Sequence, residues 1–107
     1  MQHGIYRYTF GPEVSMMDVE ETLMLSVLAG ESLHGRAQVR LDAAFCLDAR
    51  KRCCVVDARS EVGRNIARIF TGFVTREFGD GGFKVERVSD QEEAAAAMVG
   101  GVRDAAQ

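Results

Sequence analysis

The sequence predicts one α+β domain: a four-stranded antiparallel sheet, two long helices on one face, and a short helix at the C-terminal end. Three observations predict it. Four short segments alternate in polarity or are rich in β-favouring side chains. Two long segments each open on a serine, close at a glycine and carry apolar residues at helical spacing. Their order is strand, helix, strand, strand, helix, strand. A chain of 107 residues suits one core. With 47% hydrophobic and 27% charged residues, it is neither a disordered chain nor a collagen-like one.

The elements justify themselves in turn. From Ile5 to Phe10, Tyr6, Tyr8 and Phe10 alternate with Ile5, Arg7 and Thr9, and Gly11-Pro12 breaks the strand. Ser15 opens the first helix with Asp18 three residues on, and the helix is expected to reach about Leu33, with Gly35 as its stop. Residues Val39 to Asp48 alternate again, placing Val39, Leu41, Ala43, Phe45 and Leu47 on one side and Arg40, Asp42, Ala44, Cys46 and Asp48 on the other. Ala49-Arg50-Lys51-Arg52 reads as a hairpin loop, and Cys53 to Arg59 as the returning strand, with Cys54, Val56 and Ala58 facing inward. Ser60 caps the second helix, which runs to about Phe78 before Gly79. Asp80-Gly81-Gly82 is a turn and Phe83 to Val88 a fourth strand. Ser89 with Glu92 forms a capping box for an Ala-rich helix that Gly100-Gly101 ends.

This order resembles the split βαβ, or ferredoxin-like, pattern. Residues 1–89 are expected to form that domain, with 90–107 a C-terminal helix and frayed tail, and the resemblance implies that the first strand lies beside the third. It implies no activity, because this fold hosts many unrelated functions.

The faces then carry the functional argument. Tyr6, Tyr8, Phe10, Val39, Leu41, Phe45, Val56, Phe83 and Val85 are expected under the helices. The open face is expected to carry Arg7, Arg40, Asp42, Asp57, Arg59, Lys84 and Glu86. An open polar face is ordinary for an antiparallel sheet. It would also suit a carboxylate or phosphate ligand at Arg7, Arg40, Asp57 and Arg59. Aromatics for base stacking are missing from that face, which argues against an RNA-binding sheet.

The second helix is two-faced: Val62, Ile66, Ile69, Phe70, Phe73 and Val74 against Arg64, Arg68, Thr71, Thr75 and Arg76. Glu77 falls near the middle of its apolar side, where a desolvated carboxylate would suit a general acid, and it joins Arg7, Arg40, Asp57 and Arg59 as the fifth ligand-binding candidate. The first helix is over-apolar. Met16, Val19, Leu23 and Val27 make a core stripe; Met17, Met24 and Leu28 make a second, with Leu25 farther round. Such surplus marks another contact, and Met17, Met24, Leu25, Leu28 and, from the C-terminal helix, Met98 are the expected interface residues.

Chemistry is weakly signalled. Three cysteines and two histidines show no CxxC, HxxxH or HExxH spacing, so no metal or other cofactor is expected. Adjacent Cys53 and Cys54 point to opposite faces, while Cys46 and Cys53 share one. Arg59, Ser60 and Arg64 frame a helix N-terminus with anion-holding capacity, which ordinary capping also explains. Arg50-Lys51-Arg52 is the densest basic spot, yet a net charge of −3 weighs against nucleic acid. No apolar run opens the chain, so a cytoplasmic protein is expected, without a membrane partner. The expected function is a small interaction or regulatory module that pairs with itself or another protein and lacks catalysis. The alternative is a small enzyme or small-molecule sensor with a polar site on the open sheet face.

Overall fold

A computed structural model describes residues 4–88. Their elements, in chain order, are β1 (Ile5–Phe10), α1 (Met16–His34), α2 (Arg36–Asp42), β2 (Phe45–Asp48), β3 (Cys53–Asp57), α3 (Glu61–Phe78), a 3₁₀ turn (Asp80–Gly82) and β4 (Phe83–Val88). The C-terminal helix expected over 90–99, and Met98 with it, lies outside the described residues.

The helix boundaries follow the capping chemistry read from the sequence. Ser15 Oγ accepts from Asp18 N at 3.3 Å, and Ser60 Oγ from Gly63 N at 2.9 Å, each satisfying a first-turn donor that has no intrahelical partner. Gly35 and Gly79 end α1 and α3 at φ 88° and 77°, where a Cβ would be strained, and each N–H returns to the carbonyl four residues back.

The four strands form one antiparallel sheet in the order β2-β3-β1-β4, so the first strand does lie beside the third. α1 and α3 pack together across one face of it. Between them Tyr8, Phe10, Val19, Leu23, Cys54, Val56, Val62, Ile66, Phe70 and Val74 make the core. The Tyr8 ring meets Phe70 edge-on at 4.9 Å, and Phe10 meets Phe78 at 6.1 Å. The Tyr8 hydroxyl lies 2.7 Å from Thr71 Oγ1 and 3.4 Å from Ala67 O, and Thr71 Oγ1 lies 2.7 Å from the same carbonyl, so the buried phenol has hydrogen-bond partners. Ala58 is buried with Cys54 and Val56, as the alternation of the third strand predicts.

One element departs from expectation. The strand read over Val39–Asp48 starts only at Phe45, and Arg36–Asp42 is the helix α2. The reason is the partner. β3 ends at Asp57, whose N–H donates to Ala44 O at 2.9 Å, so the chain before Ala44 has no strand to pair with. Its backbone groups are satisfied within a short helix instead. Gln38 Nε2 donates to Asp42 Oδ2 at 2.6 Å along that helix. Val39 alone of α2 is buried, and Leu41, expected in the core, is 78% exposed.

A second departure lies at the β2–β3 hairpin. Arg52 sits at φ 55° and its guanidinium donates to Gly11 O at 2.5 Å and to Val14 O. The hairpin end is thereby clamped to the loop that enters α1. Its Nε is buried without a hydrogen-bond partner among the described residues.

Candidate functional site

Strand register decides what the open sheet face offers. Side chains alternate with period two, so that face reads across β3, β1 and β4 as Asp57, Ile5 and Val88. The next row, from β2 to β4, is Cys46, Val55, Arg7 and Glu86, and the third is Asp48, Cys53, Thr9 and Lys84. The face is less charged than its expected composition, since Ile5 and Val55 on it are buried.

Three of its charged side chains, Arg7, Glu86 and Asp57, are engaged in ion pairs. Arg7 pairs with Glu86 on β4. Asp57 accepts from Arg59 Nε at 3.0 Å, Arg59 Nη2 at 2.8 Å and Arg59 N at 3.0 Å. Partial burial pushes the Asp57 carboxyl up, but these hydrogen bonds and the Arg59 charge outweigh it and hold it below the usual range. Arg59 belongs to the turn after β3, not to the sheet.

Two expected site residues are elsewhere. Arg40 lies on α2, because the strand that would have carried it to the sheet does not form there. Glu77 is exposed, so its placement inside the apolar face of α3 is corrected. One turn earlier Phe73 on the same flank is already 39% exposed, showing that this side of α3 opens to solvent near its end. Of the five expected ligand residues, only Arg7 and Asp57 point from strands on the open face, with Arg59 held beside Asp57.

The thiols do not converge. Cys54 lies beneath the helices, and burial pushes its thiol up, away from the reactive thiolate. Cys46 stands opposite Val55 and Cys53 opposite Asp48, which makes the two diagonal neighbours rather than a pair. All three cysteines are thiols, not disulfides. Among the described residues no three His, Cys, Asp or Glu side chains group as metal ligands.

The basic hairpin is partly structural. Asp48 Oδ1 accepts from the backbone N–H of Arg50 and Lys51 at 3.1 Å each, and Arg52 is the clamp described above. Only Arg50 and Lys51 remain as exposed cations there. At the α3 N-terminus, Ser60 caps Gly63 N and donates to Asp42 O at 3.2 Å, so its hydroxyl is committed at both ends.

What stands out is the helix layer. On α1 the inward side is Val19, Thr22, Leu23, Ser26 and Gly30. The outward side exposes Met17 (70%), Met24 (42%), Leu25 (56%) and Leu28 (56%), the four residues expected as interface. Around them stand Asp18, Glu20, Glu21 and Glu31, with no Lys or Arg anywhere on the helix. None of these carboxylates has an ion-pair partner among the described residues. On α3, Phe73 and the open surface at Gly72 continue the apolar region, and Arg64, Arg68 and Arg76 supply the charge. The helical spacing places Phe73 on the apolar face of this helix. It lies one residue before the buried Val74, at the edge of a stripe that narrows toward the helix end.

Comparison of the chain with family models, curated proteins and solved structures finds no match. Among the described residues no helix is long and apolar enough to cross a membrane.

Proposed function

We propose that this chain is a small cytoplasmic protein-interaction or regulatory module that self-associates through the outward face of α1 and performs no catalysis of its own. The observation that carries the reading is the exposure of Met17, Met24, Leu25 and Leu28 on one helix face. Water-facing clusters of large apolar side chains are what interfaces bury, and methionine adapts to such surfaces. Two-fold pairing is the commonest assembly that would cover them. The same proposal includes a ferredoxin-like split βαβ plan with α2 added before the second strand. The strand order β2-β3-β1-β4 and the packing of α1 and α3 together support it.

The competing reading, a small-molecule site on the open sheet, loses Arg40 and Glu77 by position. Its remaining charges neutralise each other as Arg7–Glu86 and Arg59–Asp57.

The test is absolute mass by size-exclusion chromatography with multi-angle light scattering over a concentration series. We expect mass to rise above the 11.7 kDa of one chain. Met24→Glu with Leu28→Glu should return it to the monomer while the circular dichroism spectrum and melting stay cooperative. A wild-type chain that remains monomeric at every concentration overturns the proposal.

A further inference from the structure

We infer that the partner of the helix layer is a second copy of this chain, seated so that α1 of each copy lies on α3 of the other. The inference rests on the self-association reading above and specifies its geometry.

α1 carries Asp18, Glu20, Glu21 and Glu31 and no Lys or Arg. The solvent side of α3 carries Arg64, Arg68 and Arg76, with Glu61 in the first turn and Glu77 on the flank toward its end. The layer is thus an acidic apolar strip beside a more basic one. Stacking two such layers face to face permits two kinds of two-fold axis in the contact plane. An axis across the helices puts α1 on α1 and sets carboxylate against carboxylate. An axis along the helices puts α1 on α3 and sets carboxylate against guanidinium. Complementary potentials select the second, since like charges brought together suppress the first.

Height along the helices makes the match specific. β1 and β3 are antiparallel and each leads into its helix, so α1 and α3 run antiparallel. Gly30 marks a common level with Ile66: a Cβ at Gly30 would lie 3.1 Å from Ile66 Cγ1. An axis along the helices preserves height, so equal steps from that level face each other across the two copies. Each residue rises about 1.5 Å. Two steps bring Leu28 to Arg68, whose aliphatic stem offers apolar cover. Six steps bring Met24 to Gly72, where a Cβ would meet nothing within 4 Å and a methionine has room to seat. Ten steps bring Glu20 to Arg76, with Glu21 beside it. Apolar meets open or apolar surface at the middle, and opposite charges meet toward the end, twice over by symmetry.

The acidic 89–107 segment is the rival occupant. Asp90, Glu92, Glu93 and Asp104 against a single Arg103 make it a poor match for an acidic helix.

The experiment uses the full chain in three exposed charge-reversal variants, with mass read by light scattering over a concentration series at low salt. Glu20→Lys with Glu21→Lys, and separately Arg68→Glu with Arg76→Glu, should each weaken the dimer by at least about tenfold. All four changes in one chain should restore it, because positions 20 and 21 again meet a charge of opposite sign at position 76. A wild-type dimer that ignores either reversal, or a four-fold variant that stays monomeric, overturns the α1-on-α3 seating and leaves self-association standing. A wild-type chain that is monomeric throughout overturns both. Melting curves of each variant show whether the fold is intact.

Discussion

Substituting Gly63 with alanine tests the packing of α3 on the sheet more sharply than any core truncation. An ideal Cβ at Gly63 would lie 1.9 Å from Asp57 O and 3.2 Å from Ser60 Oγ. The nearer atom is backbone and cannot swing aside. Restoring ordinary contact at 3.4 Å requires the first turn of α3 to retreat by about 1.5 Å. That movement pulls on the Ser60–Gly63 cap and on buried Val62 and Ile66. Overpacking costs about 1–3 kcal/mol, and a lost cap about 1 kcal/mol more. The better helix propensity of alanine returns about 1 kcal/mol. The net expectation is a loss of about 2 kcal/mol, or a fall of about 8–16 °C in Tm for a domain of this size. Gly72, nine residues along the same helix, is the internal control, since a Cβ there meets nothing. Gly72→Ala should gain about 0.5–1 kcal/mol in the monomer. Both are read by thermal and urea denaturation under circular dichroism, at dilutions where light scattering shows one chain. A Gly63→Ala protein that melts at or above wild type, or two variants that shift in the same direction, would show that α3 does not press on the end of β3 at this position.

The other predictions concern titration. Burial pushes the Tyr8 hydroxyl from its ordinary 10.0 to about 12. A raised folded-state value stabilises below the ordinary pKa, so the contribution is whole below about pH 10 and is lost as pH climbs toward about 12. Tyr8→Phe should cost about 0.5–1.5 kcal/mol at neutral pH and show a flatter alkaline limb in urea midpoints; equal alkaline slopes in the two proteins would contradict it. Asp57 titrates below its ordinary 3.8 when folded, so its contribution is present above that value and drains away as pH falls through the folded value. Asp57→Asn should therefore flatten the acid limb below about pH 4, and an unchanged limb would show that the Arg59 pair does not stabilise the fold.

Much of the fold was legible because its boundaries are set locally. Ser15, Ser60, Gly35 and Gly79 mark α1 and α3 by hydrogen bonding and backbone freedom within a few residues. Tyr6-Tyr8-Phe10 and Cys54-Val56-Ala58 mark inward faces by strict alternation. α2 was illegible because seven residues hold under two turns, and Val39, Leu41 and Ala43 satisfy a period of two as readily. What decides the matter is where β3 ends, a fact about another segment. Arg52 was illegible for a related reason. Its left-handed backbone and its reach to Gly11 and Val14 depend on a loop some forty residues earlier. The α1 face was the most readable part of the candidate site, since an apolar surplus shows in helical spacing alone. The ion-pair partners on the sheet required register, which one sequence does not supply.

The position of β1 inside the sheet, between β3 and β4, has a consequence for the order of events during synthesis. The first strand made is central, and one of its two neighbours is the last strand of the described residues. Arg7 waits for Glu86 across a separation of 79 residues. Until Phe83–Val88 has left the ribosome, β1 has a bare edge, its donors and acceptors unpaired beside Tyr8 and Phe10. At about 5–20 residues per second that interval lasts several seconds. Nascent chains crowded on one message would present the same unfinished edge to each other, which makes strand exchange at β1 the hazard this topology carries from birth.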